Sequence, residues 1–503
     1  MTDIAGKKEY LLGIDNGGTV CKAAVFDKCG RQVASGSVRI PLSVNSGGKT
    51  ERDPAEIIGK NLELIRNVIS GIDGKIAAVG LSGHGKGLYL LDKKGTPLGG
   101  GIASTDSRAI GHELSFRSDG TEAEARKITF QNTLACQPVC LLRWLKDNDR
   151  DTYDRIGMIL SVKDLVGYAL TGEAVTDRTD MSGSGFMNLE TGNYDPALTA
   201  LFGIGEMNAC LPEIRSPFDI RGYVTPETAR VTGLDAGTPV SCGMFDIDAC
   251  ALSAGTVDPG DICMIAGTWS INEYISPAPV LHGVAMNSLY CVDGLYLAEE
   301  SSAASAGNLE WVRGILRKHS YRELDSLVSG TDPAESGVYF LPFLYASNLT
   351  PYAKACFIGL DSGHTDADMI RAVYEGVVYS GYTHLERLLD SIGAPAGRII
   401  LAGGVVNSGV WTQMFADTVG RDIFAACDAE PGAKGAAMSA GIACGMFGNV
   451  HDAAEKCTRG GKTVAPDPEM TGIYRKKYRV YRKIESALST VWDDIRAIGG
   501  KNA

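Results

Sequence analysis

Asp15-Asn16-Gly17-Gly18-Thr19, with Lys22 close behind, is the first stretch whose residue types could do chemistry. Glycines at a turn expose backbone N–H groups that can cradle a phosphate, Thr19 adds a hydroxyl and Lys22 a point charge. Asp15 offers the hard oxygen that suits Mg2+, held through water. A plain Asn-Gly turn reads the same residues more simply, and no Gly-Lys-Ser/Thr follows to make a Walker A loop. A second turn, Ile265-Ala266-Gly267-Thr268-Trp269-Ser270, again joins a glycine to a hydroxyl. It fits a terminal phosphate or a tight turn in a buried hairpin. Asp246 stands where a strand hands over to a small-residue helix, a place where a carboxylate can take the proton of a substrate hydroxyl. An N-cap aspartate fits there too, and Asp248 competes for either role. Gly403-Gly404, with Asn407 and Ser408, permits close approach of an adenine or ribose, or is an ordinary loop. Ser82-Gly83-His84-Gly85-Lys86-Gly87 and Asp106-Ser107-Arg108 could hydrogen-bond a polyol. His84 reads as structural, and Trp144, Trp269 and Trp311 read as core residues rather than stacking platforms.

These residues need elements to position them. Residues 10–14 and 21–27 form a strand, glycine turn, strand unit, with a third strand at 32–41. Asp53-Pro54 opens a helix over 53–69. Strands follow at 75–83 and 88–91, and helices at 140–148 and 161–170. A strand at 239–242 leads into a helix at 247–255. Residues 261–265 and 269–275 then repeat the strand, glycine turn, strand unit. The repetition predicts a duplicated architecture of two α/β halves, divided near 250, each opening with a phosphate-facing hairpin. A long amphipathic helix at 366–391, a strand at 398–401 and a terminal helix at 474–497 complete the reading.

The chain has 503 residues, too many for one core. Hydrophobic residues make up 44% and charged residues 21%, a globular balance. The net charge of −12 argues against nucleic acid or an anionic membrane surface as the partner. Thirteen scattered cysteines, without Cys-x-x-Cys pairs or histidine clusters, predict reduced thiols in a cytoplasmic protein rather than a disulfide frame or zinc site. Residues 1–10 carry no apolar secretory core, and no apolar run approaches the roughly 18–20 residues that span a bilayer.

Taken in order, the motifs resemble the FGGY carbohydrate kinases, of the sugar kinase and actin superfamily, along nearly the whole chain. The family's second signature is present as Ala355-x-Phe357-x-Gly359-Leu360, seven residues, then Asp368-Met369-x-x-Ala372-Val373-Tyr374-Glu375. The first runs from Pro138 through Leu142-x-Trp144-Leu145-x-Asp147-Asn148, with Leu141 where the family usually has Lys. The resemblance implies two actin-like (ribonuclease H-like) α/β domains with a ligand cleft between them. Residues 1–250 would hold the sugar and first phosphate loop, and 251–503 the ATP site and terminal helix. It implies transfer of the γ-phosphoryl group of ATP, with Mg2+, to a hydroxyl of a small sugar. Gly17, Gly18, Thr19 and Lys22 match the first phosphate loop, Gly267 and Thr268 the second, and Gly403, Gly404 and Asn407 the adenosine loop. Asp246 matches the catalytic base, and Asp15 and Asp246 would hold the metal.

Glycerol kinases usually carry Arg-Glu after the strand at 75–82, and D-xylulose kinases Met-His; here Gly85-Lys86 stands instead. The strings Gly85-Lys86-Gly87-Leu88, Gly307-Asn308-Leu309-Glu310-Trp311 and Leu341-Pro342-Phe343-Leu344-Tyr345 are similar to the L-xylulose kinase branch. A ketopentose, L-xylulose first, is therefore the expected acceptor, touching Lys86, Asp106 and Asp246. Erythritol, D-ribulose, D-xylulose and glycerol stay open as alternatives, as does a non-catalytic sugar sensor of the same fold. Members of the family are often dimers, so a homodimer is compatible with the resemblance.

Overall fold

The computed structural model describes residues 8–45, 47–267, 269–283, 286–316, 320–345, 347–350, 352–393, 396–426, 430–458 and 460–499. The first half is built on strands β1 (Glu9–Asn16), β2 (Val20–Phe26), β3 (Gln32–Arg39), β4 (Lys75–Gly83), β5 (Ile220–Tyr223), β6 (Pro239–Ser241) and β7 (Met244–Phe245). They form one sheet in the order β5-β6-β4-β1-β2-β3, with β7 also on β4. Strand β1 is antiparallel to β2 and parallel to β4. Its side chains are buried on both faces, which its near-continuous apolar run permits. The edge strand β3 is half exposed and alternates. Around this sheet lie α1 (Pro54–Ile69), α2 (Val162–Thr171), the short α3 (Arg178–Ser182) and α4 (Asp246–Ser253).

The second half repeats the plan. Strands β8 (Ile262–Ala266), β9 (Ser270–Ser276), β10 (Met286–Leu289), β11 (Tyr296–Ser302), β12 (Ile399–Ala402), β13 (Ile423–Ala425) and β14 (Lys462–Val464) run in the order β10-β11-β9-β8-β12-β13-β14. An antiparallel meander β8-β9-β11 again adjoins parallel strands β12 and β13. Its helices include α5 (Asp366–Ile392), α6 (Gly409–Val419), α7 (Pro431–Ala443), α8 (Pro468–Leu488) and α9 (Val491–Gly499). The duplicated architecture expected from the two glycine turns is present, as meander β1-β2-β3 with β4 and β6, and as β8-β9-β11 with β12 and β13.

Local chemistry explains several of these elements. Asp53 caps α1 by accepting the Ala55 N–H at 2.8 Å, with Pro54 in the first turn. Ile57, Leu64, Ile65 and Val68 bury one stripe of the helix, and Asn61 within that stripe donates to Asn16 Oδ1 at 2.9 Å. The helix thereby fixes the end of β1. Within the signature at the start of α5, Glu375 is buried and paired to Lys477 of α8 at 2.6 Å and to Arg371 at 3.3 Å, so it anchors the terminal helix. That helix begins earlier than expected, at Pro468, and the stretch 474–497 is two helices rather than one. Ser489 and the β-branched Thr490 separate them. Trp269 and Trp311 are also not core residues: they are 50% and 44% exposed.

Helix α7, which the sequence reading did not mark, joins the halves. Gly13 and Gly80 lie opposite each other on β1 and β4. A Cβ at Gly13 would sit 1.7 Å from the Ala433 carbonyl oxygen, and one at Gly80 1.8 Å from that of Ala436. On the other side of α7, a Cβ at Gly435 would sit 2.0 Å from the Ala249 carbonyl oxygen of α4. No side chain fits between these backbones. Gly435→Ala should therefore lower stability by about 1–3 kcal/mol, as overpacking does. Gly111→Ala, in an open helical position, should cost nothing. Denaturant unfolding of both variants checks this, and equal midpoints would refute the packing argument.

Candidate active site

The carboxyl ends of β1, β4 and β7 lie side by side: Asp15 is opposite Ser82, and Ser82 opposite Met244. This is the edge where open α/β sheets bind ligands. Ser82 Oγ donates to Asp15 Oδ1 at 2.9 Å and lies 3.3 Å from the Gly432 carbonyl oxygen of α7. Burial pushes the Asp15 carboxyl up, against the pull of Ser82 and Lys22. Lys22 faces Asp15 across the hairpin and pairs with Glu430 at 2.8 Å.

The turn between them is braced by a residue the sequence reading missed. Arg52, buried, donates to the carbonyl of Gly17 at 3.3 Å and to that of Gly18. In a trans peptide the C=O and N–H point in opposite directions. Tying down these two carbonyls turns the N–H groups of Gly18 and Thr19 away from Arg52, as an anion cradle requires.

In the second half, Gly267 accepts the Ala306 N–H at 3.1 Å and donates to the Trp269 carbonyl at 3.0 Å, closing the turn after β8. Thr268 lies outside the described residues. Gly403 has φ 93°, ψ −174°, and a Cβ there would lie 2.6 Å from the Ala266 carbonyl oxygen. Only glycine brings the loop after β12 this close to the second turn. Gly404 opens a 3-10 turn ending at Asn407, whose side chain donates to the Gly404 carbonyl at 3.2 Å. Asn407 and Glu430 line one cavity of 820 Å3 together with Ser253 and Lys456, and Glu430 is the residue that pairs with Lys22.

Asp246 is the first residue of α4, one position inside the cap residue Phe245. Its carboxyl is pushed well above the usual range by burial, then by the charges of Asp15 and Asp180, with the Ile247 N–H and Lys86 opposing. The rival Asp248 is fully buried and turned to the second half, where it accepts the Cys291 N–H at 3.0 Å. Lys86 has φ 63°, a conformation rare outside glycine and frequent at functional sites. Its ammonium lies 5.9 Å from the ring centroid of Phe245. His84 is buried against Tyr89 and held neutral, its pKa lowered to about 4 by burial and Arg52.

Asp106 is placed differently from the expectation. Its side chain is 0% exposed, and it accepts the Thr50 N–H at 2.6 Å and the Arg108 N–H and Nε–H, each at 2.9 Å. Arg108 continues to Glu51 at 2.6 Å. The carboxylate is enclosed by this network instead of open to a ligand.

A second buried network went unread. Lys163 Nζ stands 2.7 Å from both Asp164 and Asp177 and 3.6 Å from Asp180. Arg221 completes it at 3.0 Å from Asp164. Burial and the charges of Asp164 and Asp177 raise the Asp180 carboxyl, to about 7, against Lys163. The run Ser161-x-Lys163-Asp164, with Thr176-Asp177 beyond, was the available signal. Among the described residues no group of three or more metal-ligating side chains occurs.

Two family models match this arrangement: the N-terminal domain of the FGGY family of carbohydrate kinases over residues 10–253, and its C-terminal domain over 262–444. The chain belongs to the FGGY family of carbohydrate kinases, and it is an enzyme that phosphorylates a sugar at the expense of ATP. The L-xylulose/3-keto-L-gulonate kinase of Escherichia coli K12 is 36% identical over 492 residues, 95% of this chain and 97% of that protein. The probable L-xylulose kinase of Pasteurella multocida Pm70 is 36% identical over 490 residues, 96% and 99% of the two chains. Among solved structures, a xylulose kinase from Lactobacillus acidophilus has the same fold, with a TM-score of 0.87 at 24% identity over 97% of this chain and all of that one.

One further carboxylate near Asp248 carries a prediction. Glu273 on β9 is 0% exposed, and neither of its oxygens accepts a hydrogen bond. Burial, then Asp248 and Glu299, push its carboxyl well up. The folded chain thus holds a proton that the unfolded chain releases. This group's contribution to stability is present below the ordinary carboxylate range and lost as pH rises through the raised value. Glu273→Gln should raise the unfolding midpoint by about 2–4 °C at pH 8 and by less at pH 5, by scanning calorimetry. A lower midpoint at both values would refute it.

Proposed function

We propose that this chain transfers the γ-phosphoryl group of ATP to a hydroxyl of a ketopentose, L-xylulose first. The observation that carries the choice of sugar is the near full-length similarity to proteins named L-xylulose kinases at 34–36% identity. The autoinducer-2 kinases of Escherichia coli stand at 26–27% and an erythritol kinase of Brucella abortus at 24%. The Gly85-Lys86 loop, which lacks the Arg-Glu and Met-His pairs, agrees with that order.

In this reading Asp246 accepts the proton of the acceptor hydroxyl as its oxygen bonds to the γ-phosphorus and the bond to the leaving ADP oxygen breaks. The Gly18 and Thr19 N–H groups and Lys22 take the phosphates on one side, with Gly267 and Thr268 on the other. Gly403, Gly404 and Asn407 take the adenosine. The charge of Asp15 raises the affinity of Asp246 for a positive charge, and two carboxylates completed by phosphate oxygens and water fit Mg2+, so these two would hold it. The ion would neutralise phosphate charge. Asp106 holds the loop from 48 to 52 beside the first turn, through Thr50 and Arg108, and Lys86 meets a lone pair of the sugar.

We place the division between the two domains in residues 254–261, between α4 and β8, a few residues beyond 250. The cleft between them would close on the substrates and exclude water. The cytoplasm, where ATP and free sugars occur together, is the proposed location.

ADP release with Mg-ATP across ketopentoses, tetritols and glycerol tests the reading. L-xylulose should be turned over with the highest kcat/KM; preference for another polyol would overturn the sugar assignment and leave the kinase. Asp246→Asn should lose about 10²–10⁴-fold in kcat with ATP binding kept, since it removes the base and preserves the shape. Near-normal turnover in that variant would exclude Asp246 as the base.

A further inference from the structure

Helix α3 places a second acid, Asp180, in the wall of a cavity that Lys86 also lines. Asp180 is 4% exposed, and its Oδ2 is left without a donor because the Ser161 hydroxyl, which also bears on this carboxyl, is given to Asp164 Oδ2 at 2.9 Å. The nearest cation to that oxygen, Lys163 Nζ at 3.6 Å, is already held more closely by Asp164 and Asp177. Lys86 makes no ion pair among the described residues. Its stem runs along the end of α3: a Cβ on Gly183 would lie 3.7 Å from Lys86 Cγ and 3.6 Å from the Asp180 carbonyl oxygen. Lys86 and Asp180 line one small cavity with Ser161, Ser184 and Phe186. Its volume is 20 Å3, room for one oxygen-sized group. Asp246 is not part of its wall, although it lies within electrostatic reach of both residues.

We infer that Lys86 and Asp180 together read one hydroxyl of the sugar, different from the hydroxyl that Asp246 deprotonates. This rests on the sugar kinase reading above. A hydroxyl is both donor and acceptor, and the cavity supplies one partner for each face. The sugar O–H donates to Asp180 Oδ2, and its lone pair accepts from Lys86 Nζ. The cavity admits a single oxygen, so a hydroxyl of the wrong configuration leaves a buried carboxylate and a buried ammonium without partners. That cost falls on binding and makes the pair a specificity determinant. Asp180 gains a task that the Lys163 network does not give it, since that lysine is matched without it.

The test is steady-state kinetics of the full chain with L-xylulose and analogues each lacking one hydroxyl. Wild type should discriminate against one analogue by about tenfold to a hundredfold in kcat/KM. Asp180→Asn and Lys86→Met should each raise sugar KM by about tenfold or more, leave ATP KM within about twofold, and erase the discrimination against that same analogue. The double variant should be little worse than either single one. Asp180→Ser provides a second truncation if the Asn variant does not fold. Equal effects on sugar and ATP, or full discrimination retained in the variants, would overturn the proposal and leave Asp180 as a member of the Lys163 network. Absence of turnover by wild type on any ketopentose would overturn the sugar reading itself, and this inference with it.

Discussion

Backbone packed on backbone, where α7 crosses β1, β4 and α4, is the contact on which the site depends. The glycines at 13, 80 and 435 allow approaches that no side chain could enter. The same close approach completes the chemistry. Gly432, in the first turn of α7, comes so near Asp15 that a Cβ there would lie 2.5 Å from its Oδ2. Ser82 faces both Asp15 Oδ1 and the Gly432 carbonyl, and Glu430 reaches Lys22. The first glycine turn belongs to one half of the chain, but a helix of the other half holds its acid and its lysine in place. Any sliding of the halves is felt first at Asp15.

The second constraint is electrostatic. Asp180, Asp248 and Glu273 are buried, Asp15 and Asp246 half-buried, and all five have raised carboxyl pKa values. Isolated buried charge is costly, and the usual remedy is a matched cation. The cations present are mostly engaged elsewhere. Lys163 faces Asp164 and Asp177, Arg52 holds the carbonyls of the first turn, and Arg108 is shared between Asp106 and Glu51. What remains is an excess of acid at the strand ends. Such a region accepts polyphosphate only together with a cation, which agrees with assigning Mg2+ to Asp15 and Asp246. It also favours hydroxyl donors, which is what a sugar presents.

The legible parts of the sequence were those with a local signature. The strand, glycine turn, strand units at residues 10–27 and 261–275 could be read because hairpin register and turn chemistry are local. Their similarity carried the duplicated architecture with them. Asp246 could be placed because its neighbours change from strand to helix beside it. Arg52, Lys163 and Asp180 could not, because a charged residue in isolation reads as surface, and these are buried by partners on other elements, 35 residues away for Arg52 and Gly17 and 17 for Lys163 and Asp180. Asp106 was read as open to ligand for the same reason: its partners Thr50 and Glu51, one bonded directly and one through Arg108, lie over fifty residues earlier. Helix α7 escaped because alanine and glycine carry no amphipathic pattern. Its function is to be thin, and thinness shows only against the backbone it touches. The terminal helix was read as one because its periodicity outlasts the break at Ser489.

Duplication also explains why acids gather at this place. In each sheet the strand beyond the inner parallel one, β6 with its extension β7 and then β13, is followed by the helix that packs across the middle, α4 and α7 respectively. The two helices meet where Gly435 faces Ala249. Each carries an acid at its start: Asp246 is the first residue of α4, and Glu430 the cap position of α7. A helix start favours negative charge by a few tenths to about 1 kcal/mol, so an acid is the natural occupant of both positions. The equivalent positions then diverge. Glu430 is held by Lys22, across the first turn, and is spent on structure. Asp246 has no such lysine; its nearest positive influence is Lys86, whose ammonium sits by the Phe245 ring. The unpaired member of the two is the one to which the proposed reaction gives the proton, and it lies within electrostatic reach of Asp15, in the turn that its paired counterpart holds.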